Sequence, residues 1–292
     1  MDWGFCEEQK ASAEMKRSKK CFTTIVAAVM CLVTAGCGSA KEEKAQVQVF
    51  VAASLKNVMS ELELAYEMEN PGVDIVLSAD SSGTLMTQIQ EGYECDIFFS
   101  AAQKQMNTLE EGGFLVEETR HNVVNNQVVV VKGKGVEITV TGLVNIAEAE
   151  NIALAAGSVP VGKYTRQAMV NLKMLPEVED VSAISTSEIM EALDTEVSEH
   201  GNVSKVLIAV AEGACEVGTT YYSDTYGYED KVEILEFVDY ELTGDVIYPV
   251  ARVNNEEASH AQTEYAEGFL EYILSEEAKA VFAKYYFDTN VE

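Results

Sequence analysis

Residues 79–85, with the sequence Ala-Asp-Ser-Ser-Gly-Thr-Leu, constrain the fold more than any other stretch of the chain. They follow a short apolar run, residues 73–77, and lead into residues 84–89, which have helical spacing. The pattern is typical of a strand, a turn of small residues and a helix, with Ser82 at or next to the helix N-cap. The unpaired N–H groups and partial positive charge of a helix start can hold an anion without Lys or Arg.

The same arrangement occurs earlier in the chain. Residues 47–51 (Val-Gln-Val-Phe-Val) alternate like a strand, two alanines follow, and Ser54 opens a helical segment at Leu55. Two strand–serine–helix units so close in sequence predict one anion held between two helix starts. The alternative is that Ser54 and Ser82 only cap their helices.

Strand-like and helix-like segments also alternate farther along the chain, which indicates a parallel sheet with helices on both faces. The 292 residues are enough for two lobes. Residues 157–164 form a third strand-to-helix switch, and Asn202 is placed to cap a helix that begins at residue 203. Pro249 predicts an edge or crossing strand over residues 247–250, because proline cannot donate to a sheet ladder.

The N-terminal segment is typical of an exported protein. Four basic residues at positions 16–20 precede an uncharged apolar run, residues 21–33, that is short for a transmembrane helix. Gly36-Cys37 then resembles the end of a bacterial lipoprotein signal, where the Cys receives lipid. We expect a leader and signal peptide over residues 1–37, a linker over 38–45 and a lipid anchor at Cys37. An uncleaved signal anchor is the alternative, and translation starts at Met1 or Met15.

Charge and cysteine content exclude several classes of partner. The chain has 20 basic and 49 acidic residues, a net charge of −29. Residues 1–37 hold five basic and four acidic groups, so the remainder carries 15 basic and 45 acidic groups, or −30. Nucleic acid is a poor partner for such a surface. The body contains only Cys95 and Cys215, with no metal-binding spacing, and a single disulfide between them is possible but not required.

Several segments occur in an order that resembles one known family. They are Val-Ala-Ala-Ser-Leu (51–55), Ser-Ser-Gly-Thr-Leu (81–85), Cys-Asp-Ile-Phe-Phe-Ser-Ala (95–101), Val-Pro-Val-Gly-Lys-Tyr (159–164), Asn-Val (202–203), Gly-Thr-Thr-Tyr (218–221) and Tyr-Pro-Val (248–250). Each is weakly specific alone, but the ordered set spans the chain from about residue 46 to residue 290. The chain therefore resembles the molybdate-binding proteins of bacterial ABC importers.

This resemblance implies an α/β, bilobal periplasmic-binding-protein fold of type II. Two parallel or mixed sheets flanked by helices would enclose a ligand cleft between the lobes. The first lobe would comprise residues 46–125 plus 246–292, and the second residues 126–245. The protein would be an exported, lipid-anchored monomer that delivers molybdate or tungstate to an ABC permease.

The resemblance also implies a ligand site of five residues, which hold the metal as its oxyanion. They are Ser54 and Ser82 in the first lobe, and Val161, Val203 and Tyr221 in the second. The serines would offer hydroxyl and nearby N–H donors, the valines backbone N–H groups at helix starts, and the tyrosine its phenol. Ile189 is a weaker rival to Val203. No cofactor, catalytic residue or nucleic acid is expected.

Other ligands and an enzymatic role remain as alternatives. Molybdate and tungstate are fully deprotonated at neutral pH and suit a site made only of donors, whereas phosphate keeps a proton that needs an acceptor. Sulfate, phosphate or an iron complex could bind to the same fold, and the tyrosines within residues 221–228 suggest an iron complex as the ligand. An enzyme of tetrapyrrole synthesis on this fold would need more arginines than the body contains, so we expect no enzyme.

Overall fold

The computed structural model describes residues 44–291. The predicted leader over residues 1–37, its Cys37, and residues 38–43 of the predicted linker lie outside the described residues. The described residues form one compact unit. Within residues 44–291, no helix is both long and apolar enough to cross a membrane.

Strands and α-helices alternate strictly over residues 45–126, as the sequence predicts, and less regularly over the rest of the described chain. The strands are β1 (Ala45–Ala52), β2 (Val73–Asp80), β3 (Ile97–Phe99), β4 (His121–Asn126), β5 (Val128–Gly133), β6 (Asn151–Ala155), β7 (Glu196–His200), β8 (Val217–Tyr221), β9 (Val232–Phe237) and β10 (Val246–Arg252). The α-helices are α1 (Lys56–Glu69), α2 (Ser82–Gln90), α3 (Gln103–Glu111), α4 (Pro160–Asn171), α5 (Thr186–Leu193), α6 (Val203–Ala211), α7 (Tyr240–Thr243), α8 (His260–Ile273) and α9 (Glu276–Lys284).

The strands form two five-stranded mixed sheets. The first has the order β2-β1-β3-β10-β4, with β1 parallel to β2 and β3, and β10 antiparallel to β3 and β4. The second has the order β7-β6-β8-β5-β9, with β6 parallel to β7 and β8, and β5 antiparallel to β8 and β9. Antiparallel strands join each sheet because the chain passes from one sheet to the other and back, and the mixed order confirms the expectation of two parallel or mixed sheets flanked by helices.

The two passages between the sheets are short. β4 ends in the first sheet at Asn126, and β5 begins in the second at Val128. The chain returns between β9 in the second sheet and β10 in the first. We keep residues 126–245 as the proposed extent of the second lobe.

Burial explains why these strands form where they do. The run Val128 to Val131 is fully buried, which confirms the prediction of a core strand from its continuous β-branched sequence. Of the two alternatives for the strand at Pro249, an edge or a crossing strand, the edge is wrong, since β10 lies between β3 and β4 and is the strand on which the chain returns to the first sheet. The proline is accommodated because the register of β10 with β4 shifts between Tyr248 and Pro249, at a bulge where a ladder donor is not needed.

Candidate functional site

Ser54 lies between the end of β1 and the start of α1, in the short 3-10 turn Ala53–Leu55. It is buried, and its Oγ lies 2.9 Å from Tyr248 Oη in β10. The N-cap of this turn is Ala52 and that of α1 is Leu55, and no side chain caps either start. The capping-only interpretation of Ser54 is therefore wrong.

Ser82 is the first residue of α2, and its neighbour Ser81 is the N-cap. Ser81 Oγ accepts a hydrogen bond from Thr84 N at 3.1 Å. Ser82 is fully buried, and its Oγ accepts a hydrogen bond from Ala101 N at 2.9 Å. Because Ser82 accepts rather than donates in this contact, its hydroxyl proton remains available to a ligand.

A buried network orients the hydroxyl of Ser54. Asn126 Nδ2 donates to Tyr248 Oη at 3.1 Å and to Ser223 Oγ at 2.7 Å, while Asn126 Oδ1 accepts from Gln127 N at 2.9 Å. Since the backbone N–H fixes which end of the amide is the oxygen, Tyr248 must accept from Asn126. The Tyr248 proton can then go to Ser54, which leaves the Ser54 proton free to donate.

Val161 and Val203 lie in the first turns of α4 and α6. Pro160 opens α4, and the first hydrogen bond within its backbone comes from Lys163 N to Val159 O at 3.0 Å. The N–H of Val161 precedes that bond and has no acceptor within the helix. Val203 is the first residue of α6, so its N–H is free in the same way.

Asn202 caps α6, as the sequence predicts, and also reaches the first lobe. Its Oδ1 accepts from Lys205 N at 3.1 Å, and its Nδ2 donates to Asp80 Oδ1 at 3.3 Å. Asp80 Oδ1 also accepts from Ser81 N at 2.7 Å. Asp80 is therefore engaged with the starts of two helices, one from each lobe.

Tyr221 ends β8, with its side chain 1% exposed. Its ring meets that of Tyr248 edge to face, with centroids 5.8 Å apart. No hydrogen-bond partner for Tyr221 Oη occurs among the described residues. Burial raises the pKa of this phenol well above its ordinary value, so it stays protonated and can act only as a neutral partner with a proton to donate.

The five predicted residues come together around one small cavity, which we call the interlobe cavity. It is lined by Ser54, Ser82, Val161, Val203 and Tyr221, together with alanines, Ser81, Val159 and Pro160. The free volume of the cavity is about 10 Å³, roughly the space of one water. Its lining contains no carboxylate and no cationic side chain. Hydroxyl and N–H donors that converge on one point have the chemistry to hold a small anion with several acceptor oxygens, although such an ion needs more room than one water.

Asp224 lies beside this cavity and was given no role from the sequence. It follows Tyr221 by three residues and, with Ser54, lines a neighbouring cavity. Its Oδ2 is buried without a hydrogen-bond partner in the described part of the chain. Burial raises the pKa of this carboxyl from its ordinary value of 3.8 to about 7. Its ionisation near neutral pH would place a negative charge close to the donors.

The tyrosines that suggested an iron site do not gather at the interlobe cavity. Tyr222 stacks on Tyr286 with centroids 4.6 Å apart and planes inclined by 7°, and Tyr226 packs against Tyr285 at 4.3 Å. Tyr228 lies beneath Lys231. Residues 44–291 also contain no group of three or more His, Cys, Asp or Glu side chains able to hold a metal ion. Cys95 and Cys215 are both buried and free.

Comparison with known proteins assigns the family. Residues 47–288 match the family model of the bacterial extracellular solute-binding proteins. The chain belongs to this family. As a solute-binding protein with two mixed sheets flanked by helices, it has the bilobal type II fold that the sequence predicted. The family is one of solute-binding proteins of ABC transporters and not an enzyme family.

Two relatives and one solved structure resemble this solute-binding protein over most of its length. A Bacillus subtilis protein, YvgL, provisionally named an ABC transporter substrate-binding lipoprotein, is 30% identical over 92% of this chain and 98% of its own. The molybdate-binding protein ModA of Haemophilus influenzae is 28% identical over 88% and 95%. The substrate-binding domain of a provisionally assigned molybdenum ABC transporter from Clostridium difficile superposes with a TM-score of 0.61, at 30% identity over 85% and 99%.

Sequence reasoning missed the residues that support the donors. Tyr248 belonged to a matching segment, but nothing in its local pattern predicts a contact with Ser54, which lies 194 positions away. Asn126 is the last residue of β4, next to the short connection to β5, where an amide is also a common turn residue. These contacts depend on how the two sheets are joined.

Proposed function

We propose that this protein captures molybdate or tungstate between its lobes and delivers it to an ABC permease. One observation carries the proposal: five groups with protons to donate, drawn from both sheets and from three helix starts, line one enclosed cavity that lacks carboxylates and cations. The bound metal would be held through its oxygens by Ser54, Ser82, Val161, Val203 and Tyr221. It is cargo, so no resident cofactor is needed.

The chemistry of the donors favours a fully deprotonated dianion. Molybdate and tungstate offer only acceptor oxygens near neutral pH, which matches a lining without acceptors for a ligand proton. A hydrogen bond to a charged group contributes about 1.5–3 kcal/mol. Five such bonds, less the costs of association and closure, correspond to an affinity in the micromolar to nanomolar range, about −8 to −12 kcal/mol. The name of the ModA relative supports the same ligand.

Sulfate is the strongest competing ligand because it is also a fully deprotonated tetrahedral dianion. It is smaller, so it would reach fewer of the donors at full strength. Phosphate carries a proton at neutral pH and would leave that proton without an acceptor. An iron complex is supported less, since only Tyr221 among the neighbouring tyrosines faces the cavity.

Titration calorimetry of the processed protein with molybdate, tungstate, sulfate and phosphate tests the proposal. We expect molybdate and tungstate to bind with micromolar or tighter affinity, sulfate more weakly, and phosphate least. Sulfate or phosphate binding as tightly as molybdate would overturn the assignment of the ligand. Absence of binding by all four would overturn the proposal as a whole.

We further propose that the protein acts outside the cytoplasm as a monomeric, non-enzymatic lipoprotein anchored at Cys37. The family is extracellular, the YvgL relative is named a lipoprotein, and one chain supplies every donor of the cavity. A lipoprotein Cys normally carries more than one acyl chain, which suffices for stable attachment. Mass spectrometry of protein from the native host should find a lipid-modified Cys37 at the N-terminus. An unmodified Cys37, or cleavage at another position, would contradict the anchor.

A further inference from the structure

A wider cleft lies just outside the interlobe cavity. The free volume of this cleft is about 430 Å³. It draws its lining from both lobes, and Pro160 borders the cleft and the cavity alike. The residues that matter here are Gly83, Lys104, Ser158, Lys163 and Ser182. The cleft is therefore placed on a route to the enclosed site.

An ion pair crosses this cleft. Lys104 lies on α3, which packs against β10 and α2 of the first lobe. Its Nζ lies 2.9 Å from Asp180 Oδ2 and 3.2 Å from Ser182 Oγ, in a segment that packs on α4 of the second lobe. Asp180 Oδ1 accepts from Ser182 N at 3.0 Å and from Ser182 Oγ at 2.6 Å. Hydrogen bonds from Ser182, and then from Lys104, lower the pKa of Asp180, so it remains ionised.

The segments that carry the ion pair pack against the turns that carry the ligand donors. A Cβ added to Gly157 would lie 2.1 Å from the carbonyl oxygen of Ser182, so this segment packs tightly on the turn that leads into α4 and Val161. A Cβ added to Gly83 would lie 2.9 Å from the carbonyl oxygen of Ser158, so the lobes touch beside Ser82. Separation of the lobes would break the ion pair and open the contact between Gly83 and Ser158, whereas Gly157 and Ser182 would move together as parts of the second lobe.

The charge of the protein gives the cleft lysines a second role. The chain carries a net charge of −29, which repels a dianion at a distance. Lys163, half-buried on α4, takes part in no ion pair among the described residues. When the lobes separate, Lys104 also loses Asp180. Two ammonium groups would then face the open cleft from opposite lobes, against the sign of the overall field.

We propose that Lys104 and Lys163 form an approach site that draws the oxyanion into the open cleft, and that Lys104 then holds the closed lobes together through Asp180. The proposal rests on the proposed function, since it concerns the same ligand. The enclosed cavity requires the lobes to part before the ion can enter, as in hinged binding proteins generally. The approach site would change the association rate constant, and the ion pair the dissociation rate constant.

Stopped-flow measurement of molybdate binding by tyrosine fluorescence separates the two roles. In K104M we expect the association rate constant to fall about three- to tenfold at low ionic strength, and the difference to vanish near 1 M salt, where the screening length is about 3 Å. The two side chains are each about half exposed, so the K104M dissociation rate constant should rise only about 1.5- to fivefold.

Three matched variants complete the test. D180N should raise the dissociation rate constant by the same factor as K104M without slowing association. K163M should slow association and leave dissociation unchanged. K279M removes a surface lysine that pairs with Glu276 on α9, far along the chain from the cleft, and should change neither rate constant. Lys104, Asp180 and Lys279 are each about half exposed and Lys163 is half-buried. Equal melting temperatures would show that the variants fold.

The outcomes distinguish this proposal from the one on which it rests. If the parent protein binds none of the four oxyanions, the proposed function fails. If the parent binds molybdate but K104M and K163M associate as fast as K279M, the approach site is wrong. If D180N and K104M release molybdate at the parental rate, the ion pair does not hold the lobes closed.

Discussion

Replacement of Tyr221 by Phe should weaken ligand binding without weakening the fold. The Tyr221 hydroxyl is buried and has no hydrogen-bond partner among the described residues. Its removal therefore deprives no protein group of a partner, and the ring keeps its edge-to-face contact with Tyr248. We expect the free energy of unfolding of the ligand-free protein to change by no more than about 0.5 kcal/mol.

The loss of affinity follows from the charge of the ligand. The phenol would donate one hydrogen bond to a dianion oxygen, a contact that contributes about 1.5–3 kcal/mol. In Tyr221→Phe that oxygen would be desolvated by closure without a replacement donor. The dissociation constant for molybdate should rise roughly ten- to 150-fold, because each 1.4 kcal/mol is tenfold.

Tyr248→Phe is the matched control. The same atom is removed from a neighbouring buried ring, but Tyr248 Oη contacts Ser54 Oγ and accepts from Asn126 Nδ2. Its loss leaves two buried polar groups short of a partner, so the ligand-free protein should lose about 1–3 kcal/mol of stability. Calorimetric titration and chemical denaturation of both variants provide the comparison. If Tyr221→Phe binds molybdate as tightly as the parent, or is destabilised as much as Tyr248→Phe, the phenol is a structural group and our site is wrong.

Three further predictions follow from single residues. Ser82→Ala should lower molybdate affinity about ten- to 150-fold and the free energy of unfolding by about 1–3 kcal/mol, since it removes a donor to the ligand and the acceptor of a buried N–H. Ser81→Ala should cost only about 1 kcal/mol of stability, because it removes only a helix cap. Equal affinities in the two variants would refute this distinction. Burial raises the pKa of Asp224 to about 7, so the folded state binds this proton more tightly than the unfolded state, and the free energy of unfolding should fall from about pH 4 to pH 7. This fall should be steeper in the parent protein than in Asp224→Asn, by up to about 1.4 kcal/mol per pH unit. Parallel profiles of stability against pH in the two proteins would contradict the raised pKa. Tyr286 has a left-handed φ of 68° and stacks on Tyr222; Tyr286→Ala should be less stable than Tyr286→Gly by about 1 kcal/mol, because only glycine relieves the backbone strain, and equal stability would argue against strain at this position.

Local pattern was sufficient for most of the elements that carry the site. The strand–serine–helix units at Ser54 and Ser82, the capped start of α6 and the buried strand from Val128 could all be predicted, because periodicity and capping are properties of neighbouring residues. The choice between Ser81 and Ser82 as the cap could not. The cap is the last residue with extended backbone angles before the helix, here Ser81, and two adjacent serines give the same sequence signal.

Strands with mixed or exposed faces gave weaker signals. β4, β7 and β9 were not predicted, since several of their residues are exposed or partly exposed and neither their periodicity nor their composition stands out. The central place of β10 was left open, because the proline suggested either an edge or a crossing strand. The bulge that accommodates Pro249 is a feature of the pairing with β4.

The sequence by itself determined where the anion-binding helix starts lie and, through an ordered set of motifs, which five residues to consider. Only the tertiary structure decided that these residues share one cavity, that Tyr248 and Asn126 orient Ser54, and that Lys104 meets Asp180 across the cleft. Those contacts join positions 76 to 194 residues apart. No local pattern encodes such distances, because the approach of these residues is set by the pairing of distant strands and by the two passages of the chain between the sheets.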